Sequence, residues 1–203
     1  MGDLAATEPD HAREGRPRAA LADGGMSVQG AILFLDIDGV LNGHERDAQG
    51  YCRIQAGPVV HLNRILAETE ARLVISSSWR YMVHSGAMTL EGFSYMLITH
   101  GIGCHGRLAG ITCRDEEAGP RGAQITRWLD RYPSLGEGPA YVVIDDEDAG
   151  VTGAGHPLVR TDGRAGLTHR DADAAIAVLR LGATRTDRLR RSWYQPTDRD
   201  YGR

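Results

Sequence analysis

At 203 residues and 22.0 kDa the chain is long enough for one domain with a true core and too short for two comfortable ones. A composition of 41% hydrophobic and 25% charged residues is that of an ordinary folded domain, and a net charge of −4 gives no overall pull toward nucleic acid or an anionic membrane. Its three cysteines, Cys52, Cys104 and Cys113, are odd in number and form no C-x-x-C pair, which argues against a disulfide framework or a zinc site.

Residues 1–28 mix Ala, Gly, Arg, Asp and Pro without apolar periodicity, and are expected to be a disordered N-terminal tail. They lack the apolar stretch of a secretory signal, and no run in the chain approaches membrane-spanning length. The expectation is therefore a cytoplasmic protein with no membrane partner. All 23 basic residues are arginines, so any fixed cation that a site requires must be an arginine.

The ordered domain is expected over 29–182. It opens with Ala31-Ile32-Leu33-Phe34-Leu35, a continuous apolar run of the kind buried on both faces of a parallel sheet. Pro58 to Leu66 follows with helical spacing, placing Val59, Leu62 and Leu66 on one face and Pro58 in a first turn. Arg72 to Ile75 is a second strand, and Leu90 to Thr99 a second helix through Leu90, Phe93 and Leu97. Gly101 to Gly103 is a weaker strand candidate. Gly122 to Arg131 is a helix with Ile125, Trp128 and Leu129 as its buried stripe. Tyr141 to Ile144 is a third clear strand and His156 to Arg160 a weaker one. Ala172 to Leu181 is a last helix, with Gly182 as its stop. Residues 183–203 read as a basic C-terminal tail in which Arg185, Arg188, Arg190 and Arg191 stand beside Trp193 and Tyr194. Strands alternating with helices predict an α/β domain with a Rossmann-like, mostly parallel sheet and helices on both faces.

Polar clusters follow directly after the three strongest strands, and the carboxyl ends of parallel strands are where such sheets bind ligands. After the first strand stand Asp36 and Asp38, two carboxylates whose proximity is costly without a positive partner. A hard divalent cation answers that need, and magnesium combines one or two carboxylates with substrate phosphate oxygens. Gly39 allows the backbone to turn away sharply behind them. After the second strand comes Ser76-Ser77-Ser78-Trp79-Arg80, where small hydroxyls and backbone N–H groups can hold a phosphate oxygen and Arg80 can add a bidentate contact. After the third comes Asp145-Asp146-Glu147-Asp148. Asp145 and Asp146 are expected to complete the metal site opposite Asp36 and Asp38, and Glu147 and Asp148 to be a solvated acidic loop. Arg121, opening a helix, is the best-placed fixed cation, with Arg114 next. His44, His84, His100 and His105 show no metal-ligand spacing, and Trp79 and Trp128 read as core residues.

In this order the pieces resemble the haloacid dehalogenase (HAD) superfamily of phosphohydrolases over residues 31–181. The strings LDIDGVLN, SSSWR, RGAQI and IDDED, with Gly166-Leu167-Thr168, look more narrowly like the HAD branch of RNA-repair multidomain proteins. The resemblance implies that Asp36 is a nucleophile and Asp38 a general acid/base. It implies that Ser76 or Ser77 binds the transferring phosphoryl group, and that Arg121 stands where the family usually has lysine. It further implies Mg2+ held by Asp36, the Asp38 backbone carbonyl, and Asp145 or Asp146. About 40 residues separate Asp36 from Ser76 and about 40 more reach Arg121, so no sizeable cap domain fits. An open site suits a large phosphorylated partner such as a nucleotide or a polynucleotide end, with Arg80, Arg107 and Arg114 as backbone contacts. Two other readings remain at this stage. One is a phosphatase of a small metabolite, closed over by His44 to Tyr51. The other is a catalytically silent binding module, against which the presence of both acid pairs argues. An oligomer is allowed by the sequence but is not predicted.

Overall fold

The computed structural model describes residues 30–43, 53–131 and 140–193. The expected N-terminal tail, the loop from His44 to Tyr51 and the last ten residues lie outside the described residues.

Five strands form one all-parallel sheet in the order β3-β2-β1-β4-β5: β1 Ile32–Leu35, β2 Arg72–Ile75, β3 Leu108–Ile111, β4 Tyr141–Asp145 and β5 Leu158–Arg160. The register of β1 with both neighbours is unbroken, Leu35 facing Ile75 on one side and Ile144 on the other. Every residue of β1 is buried because a parallel sheet must be covered on both faces.

Alternation along the strands divides the core in two. Leu33, Leu35, Leu73, Ile75, Val142 and Ile144 pack with α1 (Ala56–Thr69), α3 (Leu90–Thr99) and α6 (His169–Trp193). Ile32, Phe34, Val74 and Val143 point the other way, onto Ile125 and Trp128 of α5 (Arg121–Leu129). Phe34 meets Trp128 edge-on at a centroid distance of 5.3 Å and Tyr141 at 6.0 Å. Burying such a phenylalanine contributes roughly 1.5–3 kcal/mol, and each edge-on pair about 0.5–1.5 more. Two short helices, α2 (Tyr81–His84) and α4 (Asp115–Ala118), and a single 3-10 turn over Ser78–Arg80 complete the order of described elements.

Local chemistry sets the helix ends. Thr89 Oγ1 accepts the Gly92 N–H at 3.0 Å and starts α3. Thr168 and Asp171 form a reciprocal box at the start of α6: the Asp171 carboxylate accepts the Thr168 N–H at 2.9 Å, and the Thr168 hydroxyl accepts the Asp171 N–H at 3.4 Å. That box begins α6 at His169, three residues before the apolar stripe. At the other end α6 passes straight through Gly182 and reaches Trp193, so the expected stop is corrected. A Cβ on Gly182 would lie 2.7 Å from Ala140 Cβ, which makes this glycine a point of close packing inside the helix.

A second correction concerns the third strand. Gly101 to Gly103 is a turn whose Ile102 fills the core, and the strand lies further on at Leu108–Ile111. As a sheet edge, β3 is only half-buried throughout, so it carries no continuous apolar run. No described helix is long and apolar enough to cross a membrane.

Candidate active site

Chain connections run from β1 to one side of the sheet through β2 and β3, then return to the other side through β4 and β5. The reversal falls between β1 and β4, and the crevice beyond their carboxyl ends is where an open α/β sheet binds its ligand. Asp36 follows β1 and Asp145 ends β4, so both stand at this switch point. The ladder continues into the loops: the Asp36 N–H donates to Ile144 O at 3.0 Å, and Ser76 N–H to Leu35 O at 3.0 Å. Loop bases tied in this way hold their side chains in fixed relation.

Asp36, Asp145 and Asp146 each offer a carboxylate oxygen within 4.8 Å of the others. Asp36 and Asp145 are buried, and Asp146 is half-buried. Its approach depends on Gly39, whose φ is +74° and whose missing Cβ would stand 2.3 Å from Asp146 Oδ2. Arg121, at the first turn of α5, contacts Asp145 Oδ2 through Nη1 and lies 3.6 Å from Asp36 Oδ2. A missing side chain also brings α5 close, since a Cβ on Gly122 would stand 2.1 Å from Gly150 O.

Among the described residues these three carboxylates gather beside the Arg121 guanidinium, which concentrates negative charge in a low-dielectric place. Burial pushes the Asp145 carboxyl up to about 7, reinforced by Asp36 and Asp146 and opposed by Arg121. Burial likewise raises Asp36, against the pull of Arg121 and of a hydrogen bond from Ser77.

Ser77 is the serine placed beside Asp36, and its hydroxyl also accepts the Trp79 N–H at 3.4 Å. Ser76 is fully buried, and its Oγ has no hydrogen-bond partner among the described residues. The Asp38 carboxylate stands apart from the three-acid cluster. Its Oδ1 accepts from Asn42 Nδ2 at 2.9 Å and its Oδ2 from Trp79 Nε1 at 3.0 Å. Asn42 and the indole N–H of Trp79 were not among the residues expected in the site, although Trp79 does pack on the core as expected.

Arg80 does not stand as an anion ligand, and this corrects the sequence expectation. Its side chain is 2% exposed and turns inward. Nε donates to Cys113 O at 3.0 Å, Nη1 to Ser76 O and Ser77 O, and Nη2 pairs with Asp115 Oδ1 at 2.5 Å. It braces the serine loop from below. Arg107 donates to Leu66 O at the end of α1, and Arg114 to His84 O. Glu147 is exposed, and Asp148 holds the Thr152 N–H at 2.9 Å. Among the described histidines His84 and His100 bond backbone carbonyls, and none joins the acid cluster.

A parallel sheet with this strand order, and with acids at the ends of β1 and β4 facing an arginine, is a Rossmann-like α/β domain with a candidate site at its switch point. The family model described as the HAD domain in Swiss Army Knife RNA repair proteins matches residues 32–172, well over half the chain, and the chain belongs to that family. No curated protein matches it.

Proposed function

We propose that this chain is a magnesium-dependent phosphomonoesterase that works through a phosphorylated Asp36, on a nucleotide or the end of a polynucleotide. The observation that carries this reading is the Asp36, Asp145 and Asp146 cluster beside Arg121 at the switch point of the sheet. Its donor set is all carboxylate oxygen, and it concentrates negative charge beside Arg121. Both features fit a hard divalent cation. Asp36, Asp145, Asp146 and the Asp38 backbone carbonyl would hold the ion. When bound, magnesium supplies positive charge against the phosphate oxygens.

The remaining chemistry belongs to the chain's own side chains. Asp36 attacks phosphorus in line, so that its Oδ–P bond forms as the bond to the leaving oxygen breaks. A proton on Asp38 moves to that oxygen, which departs as an alcohol. Water then attacks the aspartyl phosphate and gives a proton back to Asp38, and the Asp36 carboxylate leaves as phosphate is released. Ser77, next to Asp36, is positioned to donate to a phosphoryl oxygen, and Arg121 offers the fixed cation in place of lysine. The family's link to RNA repair and the absence of a cap-sized insertion among the described residues support a nucleic acid end as substrate.

The test is phosphate release from an aryl phosphate, mononucleotides, sugar phosphates and 3′- and 5′-phosphorylated oligonucleotides, with magnesium or with chelator. Release should require the metal, favour the oligonucleotides, and vanish in Asp36→Asn, whose amide cannot accept the phosphoryl group. Turnover retained by that variant would overturn the covalent scheme. No release from any substrate would favour a silent binding module.

A further inference from the structure

The three-acid cluster takes no part in holding Asp38. Among the described residues two neutral donors do so, from two different strand ends. Asn42 reaches Oδ1 from the loop after β1, and Trp79 reaches Oδ2 from the loop after β2. Asn42 is itself fixed, being 1% exposed and accepting the Gly39 N–H on its Oδ1 at 3.0 Å. That contact orients the amide so that its NH2 faces Asp38. The Trp79 ring is fixed by packing on the core, and its backbone N–H is bound to Ser77 Oγ. One tryptophan thus connects the acid of the β1 loop to the serine beside Asp36.

The chemistry of the contacts is selective. Each carboxylate oxygen has two lone pairs, and one hydrogen bond on each leaves a second free to carry a proton. A neutral indole and a neutral amide fix the orientation of Asp38 without placing another positive charge beside the cation site, as an arginine would. General acid catalysis contributes only when the proton lies within reach of the leaving oxygen, so a wandering carboxyl loses most of it.

We infer that Trp79, seconded by Asn42, is a positioning residue for proton transfer by Asp38. This inference rests on the proposed phosphatase reading. It predicts a dependence on the leaving group. A nitrophenolate departs with little help from an acid, whereas the alkoxide of a sugar hydroxyl must be protonated as it leaves.

Trp79→Phe keeps an aromatic ring and removes the single N–H. In that variant kcat/KM for an alkyl phosphate ester, a sugar phosphate, should fall about 10- to 100-fold, and for 4-nitrophenyl phosphate only about threefold. Comparing kcat/KM confines the measurement to events up to loss of the leaving group. Slower return of the proton to Asp38 should then make the phosphoenzyme accumulate, seen as a burst of nitrophenolate. Equal losses on both substrates, or no loss on either, would overturn the inference. If Trp79→Phe fails to fold by thermal melting, Asn42→Ser is held to the same two outcomes. Failure of the underlying reading looks different: turnover by Asp36→Asn, or none by the unaltered protein, overturns both together.

Discussion

A methyl group added at Gly39 would stand 2.3 Å from Asp146 Oδ2 and 2.4 Å from its Cγ, at a backbone φ of +74° that L side chains rarely adopt. Gly39→Ala should therefore lose about 1–2 kcal/mol through the left-handed conformation alone. It must also push Asp146 away from Asp36 and Asp145. Calorimetric titration with magnesium is expected to show affinity at least about tenfold weaker than in the unaltered protein, since one carboxylate leaves the donor set. Unchanged affinity would mean that Asp146 does not serve the cation. At this scale the acids were legible because they follow strands in sequence and parallel strands bring their carboxyl ends together. Asn42 and Trp79 were not, because an amide or an indole gains its meaning only from what it touches, and Trp79 meets Asp38 across 41 positions. Arg80 misled for a related reason. An arginine after a serine loop looks like an anion ligand, yet here its guanidinium finds three carbonyls and Asp115 below the loop.

The elements show which patterns reveal a fold and which conceal it. β1 is buried at every residue, and β2 and β4 at all but their first, so each carries a run of buried apolar residues that could be read directly. β3 is an edge, half-buried with Ala109 and Gly110 at its centre, and carries no such signal. The nearby Ile102 drew attention instead because a turn had sent it into the core. Gly182 exposes a conflict between two uses of glycine. Read alone it resembles a helix stop, whereas in α6 it lets the helix lie against Ala140. These uses make opposite predictions for Gly182→Ala. An unconstrained helix interior would gain about 1 kcal/mol from alanine. A Cβ lying 2.7 Å from Ala140 Cβ has to displace α6 or the start of β4, at a cost of about 1–3 kcal/mol. Chemical denaturation is expected to show net destabilisation. A gain in stability would show that α6 yields freely at this point.

Over the whole molecule, the buried acid cluster ties folding to pH and, on the proposed metal reading, to a cation. Asp145 has its carboxyl raised from 3.8 to about 7, chiefly by burial, and Asp36 is raised in the same direction. The folded chain therefore keeps a proton that the unfolded chain releases near pH 4. The cluster's contribution to metal-free stability should be greatest below that point, fall as pH rises toward about 7, and then level, with a slope of up to about 1.4 kcal/mol per pH unit for each such group. A cation needs the deprotonated cluster and displaces its protons on binding, so the stabilisation it brings should increase over the same interval. Melting temperatures at pH 5 and pH 7.5, each with chelator and with saturating magnesium, isolate the effect. Titrating groups remote from the cluster contribute equally with and without the ion, and they cancel in the difference. The magnesium-induced rise should be clearly larger at pH 7.5, and Asp145→Asn should flatten the chelator curve while reducing that rise. Equal rises at both pH values would place the cation's binding energy elsewhere than on these carboxylates, and the metal reading of the switch point would fall.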